Sequence, residues 1–176
     1  MKSLWENIFR DKNQTEESIS AILKKIPIFQ ELKDKELEAV ERILHRRFYK
    51  QEEIVFRQGD AGVGMYIIEK GRVKIRLEPA GQIVAHLKEG EFFGELALLD
   101  DSPRSATAIA ESDCKMLGFF QPDLFGLIDR NPRLGVKIVS MLAKSIGDRL
   151  KAANEENQEM RNQLMLLQES EGQPVK

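Results

Sequence analysis

Between Arg47 and Phe120 the chain repeats one pattern: a short strand-like run, then a break. The runs are "RFYKQ", "EIVFRQGD", "GMYIIEKG", "RVKIRLE", "QIVAHLKEG", "SATAIAE" and "CKMLGFF", with Gly59, Gly71, Gly81 and Gly90 at the breaks. Short strands at regular spacing, punctuated by glycine, predict a sandwich, barrel or jelly roll. Helical patterns flank this zone on both sides. The expected fold class is therefore α+β: a β-roll or jelly roll of about eight antiparallel strands, with N-terminal helices and a long C-terminal helix.

On the N-terminal side, "TEESISAILKKIPIF" offers Thr15 as a helix cap, acids in the first turn, and Ile19, Ile22, Leu23 and Ile26 on one face. Pro27 ends that helix. "DKELEAVERIL" reads as a second helix with Leu37, Val40, Ile43 and Leu44 as its stripe. His45-Arg46-Arg47 reads as the basic C-terminal end of that helix, facing its dipole. Residues 1–14 carry Leu4, Trp5, Ile8 and Phe9. They form a flexible arm or a docking segment, whose target is the body of the protein, a partner or a membrane surface.

On the C-terminal side, "QPDLFGLIDRN" places Pro122 in a first turn. Asn131 then caps a long helix that has Pro132 at its first position. This helix is expected over 131–169, leaving 170–176 as a disordered tail. Its apolar positions alternate by four and three: Ile146, Leu150, Ala153, Asn157, Met160, Leu164, Leu167. Such a heptad seam predicts a coiled-coil homodimer, and a buried Asn157 would fix register and favour two parallel strands. The alternative is a long helix lying on its own domain. The domain reading is thus an arm at 1–14, a β-roll with its flanking helices at 15–130, and the long helix at 131–169.

A chain of 176 residues with a net charge of −2 suits one domain with a full core and an extended arm. Hydrophobic residues make up 41% and charged residues 32%, a soluble globular balance. Near-neutrality argues against a nucleic-acid binder that works by broad electrostatics. The one cysteine, Cys114, permits no internal disulfide and fits a cytoplasmic protein; in a strand it is expected to be buried and inert. No apolar run is long enough for a transmembrane segment, and "MKSLWENIFRDKNQ" is no signal peptide. His45 and His86 lack metal-ligand spacing, so no metal site is expected. No nucleophile–base pair or Walker loop is present, which argues against an enzyme.

The segment "GEFFGELALLDDSPRSATA", residues 90–108, is unlike the rest. Gly94 permits close approach of backbone or ligand. "ELALL" can form a short helical turn whose free N–H groups favour an anion. Arg104 offers a two-pronged fork for phosphate oxygens, Ser105 a hydroxyl, and Ala106 an unobstructed N–H. Glu95 suits a hydroxyl donor beside that anion, as in a ribose. Ala97, Ser105 and Ala106 leave room for a ligand, and Asp100-Asp101 reads as a solvated tip. Spacing alone leaves two readings open: a nucleotide monophosphate cradle, or a plain Glu95–Arg104 salt bridge closing a loop.

"FGELALLDDSPRSATA" resembles the phosphate-binding cassette of the cyclic-nucleotide-binding domain family, which includes protein kinase A regulatory subunits, nucleotide-gated channels and bacterial catabolite activators. "IPIFQELKDKELEAV", "QEEIVFRQGD", "MYIIEKGRVKI", "LKEGEFFGE", "QPDLFGLIDRNP" and the long helix extend the resemblance over about residues 20–155. It implies that Glu95 holds the ribose 2′-OH and Arg104 the cyclic phosphate. The N–H groups of Leu96, Ala97 and Ala106 and the Ser105 hydroxyl would complete the phosphate shell, behind Gly94. Ile75, Val84 and Leu87 are implied for the pocket wall. Ala153 and Asn154 on the C helix are implied near the base, where other members present hydroxyls. Alanine at Ser105 would lean to cAMP and threonine to cGMP.

In the bacterial transcription factors of the family a helix-turn-helix domain follows the C helix. The chain stops about where that would begin, so a stand-alone sensor without DNA binding is expected. The functional expectation is a cytoplasmic regulatory protein that binds cAMP or cGMP, needs no other cofactor, and signals through its C helix to an effector protein. The alternative is a scaffolding protein that keeps the fold and binds no nucleotide.

Overall fold

The computed structural model describes residues 18–171. The arm with Leu4, Trp5, Ile8 and Phe9, the expected cap Thr15, and residues 172–176 of the expected tail lie outside the described residues. Two short helices come first, α1 (Ile19–Lys25) and α2 (Asp34–Glu41). Eight strands follow: β1 (His45–Tyr49), β2 (Ile54–Phe56), β3 (Gly64–Lys70), β4 (Arg72–Leu77), β5 (Gln82–Lys88), β6 (Phe92–Phe93), β7 (Thr107–Ala110) and β8 (Cys114–Phe120). Helices α3 (Gln121–Arg130) and α4 (Pro132–Glu171) close the chain. All strand pairs are antiparallel, in two four-stranded sheets ordered β1-β8-β3-β6 and β2-β7-β4-β5. This is an α+β fold built on a β-roll, as the spacing of the runs predicts.

The two central strands explain the two cores. β3 is buried at every position from Gly64 to Glu69, because both its faces are covered. Side chains alternate across a strand, so Met65 and Ile67 face the helices while Tyr66 and Ile68 face the interior of the roll. β8 divides in the same way: Leu117 and Phe119 go to the helical side, Cys114 and Met116 to the roll. Ile22, Ile26, Leu37 and Val40 from α1 and α2, and Leu124, Leu134, Ile138 and Leu142 from α3 and α4, complete the helical core.

Local signals set the helix ends. The Ser18 side chain caps α1 by accepting from the Ala21 N–H at 3.2 Å. Asn131 caps α4 by accepting from the Leu134 N–H at 3.3 Å, as the Asn-Pro pair predicts. The basic run is a correction. α2 ends at Glu41, and His45-Arg46-Arg47 are not its C-terminus but the start of β1, each paired with β8. A five-residue ladder against a buried strand outweighs a dipole contact at a helix end.

α4 leads two lives. As far as Ile146 it packs on the helical core; from Asp148 to Gln168 every residue is exposed. A helix lying on its own domain therefore describes only its first third. Ile146, the first residue of the heptad seam, is engaged with the core, so the exposed part of the seam starts at Leu150, 61% exposed.

Phe119 is fully buried, with its ring centroid 6.1 Å from that of Phe29. Phe119→Ala should cost about 3–5 kcal/mol. Urea unfolding checks this: the midpoint should fall with little change in slope.

Candidate functional site

The cassette sits where β6 leaves the first sheet. Gly94 takes φ +76°, a left-handed turn that side chains resist, and the chain enters a 3₁₀ turn over Glu95–Leu98. A Cβ at Gly94 would also stand 2.6 Å from Arg104 Nη1. The glycine thus makes the turn and admits the guanidinium at the same time.

Arg104 is the centre of the site. It is only 7% exposed, rare for an arginine. Its Nη1 donates to the Gly94 carbonyl at 3.0 Å and its Nη2 to the Gly64 carbonyl at 2.6 Å. The guanidinium carbon lies 4.1 Å from the Phe56 ring centroid. Its backbone is pinned too: the Arg104 N–H donates to Asp60 O at 2.8 Å, and the Gly59 N–H donates to Arg104 O at 2.9 Å. Burial pulls the Arg104 pKa below its ordinary value, while Tyr66, Asp60 and Glu95 act the other way. The Nε is buried and has no hydrogen-bond partner. A buried charge with an idle donor carries a desolvation cost that a bound anion would offset.

Glu95 does not close a salt bridge with Arg104. It pairs with Arg149 of α4, Nη1 to Oε1 at 2.8 Å, with its own side chain 12% exposed. Arg149 Nη2 donates to the Phe92 carbonyl at 2.9 Å, and its guanidinium carbon stands 4.1 Å from the centre of the Phe92 ring. Arg149 thus ties the helix to the cassette. Its signal in the sequence was position: it comes seven residues after the buried Leu142, on the apolar stripe of α4.

The other expected residues fall in several places. Leu96 and Ser105 are exposed, Ala106 is half-buried and Ala97 is buried, all on the two arms of the cassette that meet at Arg104. Ile75 and Leu87 pack on the interior of the roll beside Tyr66 and Phe93. Val84 is 48% exposed, where β5 slips register against β4 between Ile75 and Arg76, outside that cluster. Asn154 is exposed, five residues beyond Arg149 on the free stretch of α4. Asp100 and Asp101 form an exposed tip, with Ser102 bonded to Asp100.

Residues outside the cassette behave structurally. Cys114 is buried, with its Sγ 3.1 Å from Arg72 O, and burial pushes its thiol pKa up. His45 meets Asp123 at 3.0 Å and His86 meets Glu111 at 3.2 Å. Among the described residues, no group of three or more His, Cys, Asp or Glu could hold a metal ion, and no helix is long and apolar enough to cross a membrane.

Residues 46–131 match the Cyclic nucleotide-binding domain family. The chain is 36% identical over 127 residues to a Cyclic AMP receptor protein of Thermus thermophilus, covering 70% of this chain and 59% of that one. It is 32% identical over 113 residues to a cAMP-dependent protein kinase regulatory subunit of Colletotrichum orbiculare, covering 64% of this chain and 28% of the relative. The chain therefore spans less than two thirds of either relative. The crystal structure of Thermus thermophilus Catabolite Activator Protein superposes with a TM-score of 0.68 and 35% identity, over 77% of this chain and 63% of the other. A receptor and a kinase regulatory subunit are regulatory proteins rather than enzymes. The cassette sequence, the two-sheet roll, the buried arginine and these likenesses converge: the chain belongs to the cyclic nucleotide-binding domain family.

Proposed function

We propose that this protein binds a cyclic nucleotide at the cassette and signals through α4. The observation that carries the reading is the buried Arg104 guanidinium with an idle Nε. A cyclic phosphate supplies both the counter-charge and the missing acceptor. Glu95, paired with Arg149 through Oε1, can accept from a ribose 2′-OH with its second oxygen. The relatives named for cyclic AMP make cAMP the first ligand to test, ahead of cGMP. A lone buried thiol suits a reducing cytoplasm.

Signalling follows from shared parts. Glu95 serves the ligand and Arg149 serves the helix, and the two are one ion pair. A ligand that draws on Glu95 changes the hold on α4, and the helix position in turn biases affinity. Beyond Arg149 the exposed seam of Leu150, Met160, Leu164 and Leu167 suits a second copy of the chain. Glu156 and Arg161, flanking Asn157, would pair across a parallel in-register coil. Asn154 lies about 140° round the helix from Arg149, so it faces away from its own cassette and toward a partner strand. An effector protein would then read the altered helix pair.

Three outcomes check this reading. Arg104→Ala should leave a folded protein and weaken cAMP binding by about 2–4 kcal/mol, because the buried phosphate loses its charge partner. Isothermal titration measures it, and unchanged affinity would remove the pocket assignment. Arg149→Ala should speed amide exchange along residues 142–149 with only a modest fall in the thermal midpoint, since Arg149 is itself half-exposed although its partner Glu95 is largely buried. Leu150→Asp combined with Leu164→Asp should give a folded monomer with altered nucleotide affinity, as linkage requires. Sedimentation and titration on the same double mutant decide it; a wild type that sediments as a monomer at micromolar concentration removes the dimer.

A further inference from the structure

We infer that Phe56 is a positioning residue for phosphate capture: its ring sets the plane of the Arg104 guanidinium and leaves the Nε edge as the one that meets the anion. This rests on the cassette being a nucleotide site. A guanidinium has two faces and three nitrogens. The guanidinium carbon stands over the Phe56 ring, 4.1 Å from its centroid. Carbonyls of Gly94 and Gly64 fix Nη1 and Nη2. Each Nη keeps a second N–H, but of the three nitrogens only Nε is left without any acceptor, and it is buried.

The ring is itself held. Its centroid is 5.8 Å from that of Phe93 and 6.1 Å from that of Tyr66, and Tyr66 and Phe93 stack on each other at 5.7 Å. Phe56 is thus one corner of a three-ring platform in the interior of the roll. It also stands at an irregularity: the register of β2 against β7 shifts between Ile54 and Phe56. Such bulges re-aim side chains, and they favour sites over regular ladders. The loop that follows binds the Arg104 backbone through Gly59 and Asp60. One end of β2 therefore sets both the main chain and the side chain of the arginine. Because the guanidinium is desolvated, a ring face beneath it acts with more force than at the surface.

The test uses the full chain with Phe56→Leu, Phe56→Met and Phe56→Tyr. Each variant is titrated with cAMP and with the Sp and Rp diastereomers of its cyclic phosphorothioate. These differ only in which exocyclic position carries sulfur, so their affinity ratio reports how the arginine is aimed. The Arg104 Nε–H signal is followed by ¹⁵N–¹H NMR without nucleotide. Phe56→Leu and Phe56→Met should weaken cAMP roughly tenfold, narrow the diastereomer ratio toward unity and move the Nε–H signal, whereas Phe56→Tyr should stay within about twofold of wild type. A ring that only fills space would weaken both diastereomers equally. Wild-type ratio and an unmoved Nε–H signal in both aliphatic variants overturn the role of Phe56 while leaving the nucleotide site intact. A wild type that binds none of the three ligands overturns the nucleotide site itself, and the positioning role with it.

Discussion

A guanidinium withdrawn from water governs this structure. Arg104 can be buried only because its charge is met by two carbonyl oxygens, one ring face and the field of Tyr66, Asp60 and Glu95. Each of these demands something of the chain. The carbonyls must converge, so Gly94 adopts a left-handed conformation with no side chain in the way. Gly64 must let β3 approach β8 closely, since a Cβ there would overlap the Phe119 carbonyl. The ring must stand beneath the charge, and β2 shifts its register on β7 between Ile54 and Phe56. The two arms of the cassette, the end of β2 and the start of β3 are organised around one side chain.

The second constraint is that α4 belongs to three environments in succession. Leu134, Ile138 and Leu142 anchor it in the helical core. Arg149 attaches it to Glu95 and Phe92 beside the cassette. Past that point every residue from Leu150 to Gln168 is exposed. In the proposed signalling, a displacement of the middle segment would carry the exposed end with it. The Glu95–Arg149 pair joins a half-exposed arginine to a largely buried carboxylate, and it is the contact that holds this stretch of α4 to the cassette.

Much of the fold was legible because its signals are local. Strand runs with glycine breaks specified the roll, and the Asn131-Pro132 pair specified the start of α4. The cassette stood out as a segment, since Gly94, Glu95 and Arg104 are unusual together in one short stretch. His45-Arg46-Arg47 was misread because the strand signal in "RFYKQ" is short, and the ladder with β8 that captures those residues is made by chain some seventy positions away. Arg149 was missed for a related reason: a lone arginine on a helix carries no sign of the carboxylate it will meet.

The sequence alone determined the order of elements, a β-rich centre between helical flanks and the residue types at the cassette. Turn chemistry, side-chain periodicity and glycine placement act over a few residues and need no distant partner. Only the tertiary structure decided which charges pair. Glu95 and Arg104, close in sequence and opposite in charge, are not partners. Arg104 turns to backbone carbonyls and the Phe56 ring, and Glu95 to a helix that arrives 54 residues later. The reason is geometric: charges in a folded chain pair according to where the packing of sheets and helices leaves room and excludes water, and sequence proximity has little say in that.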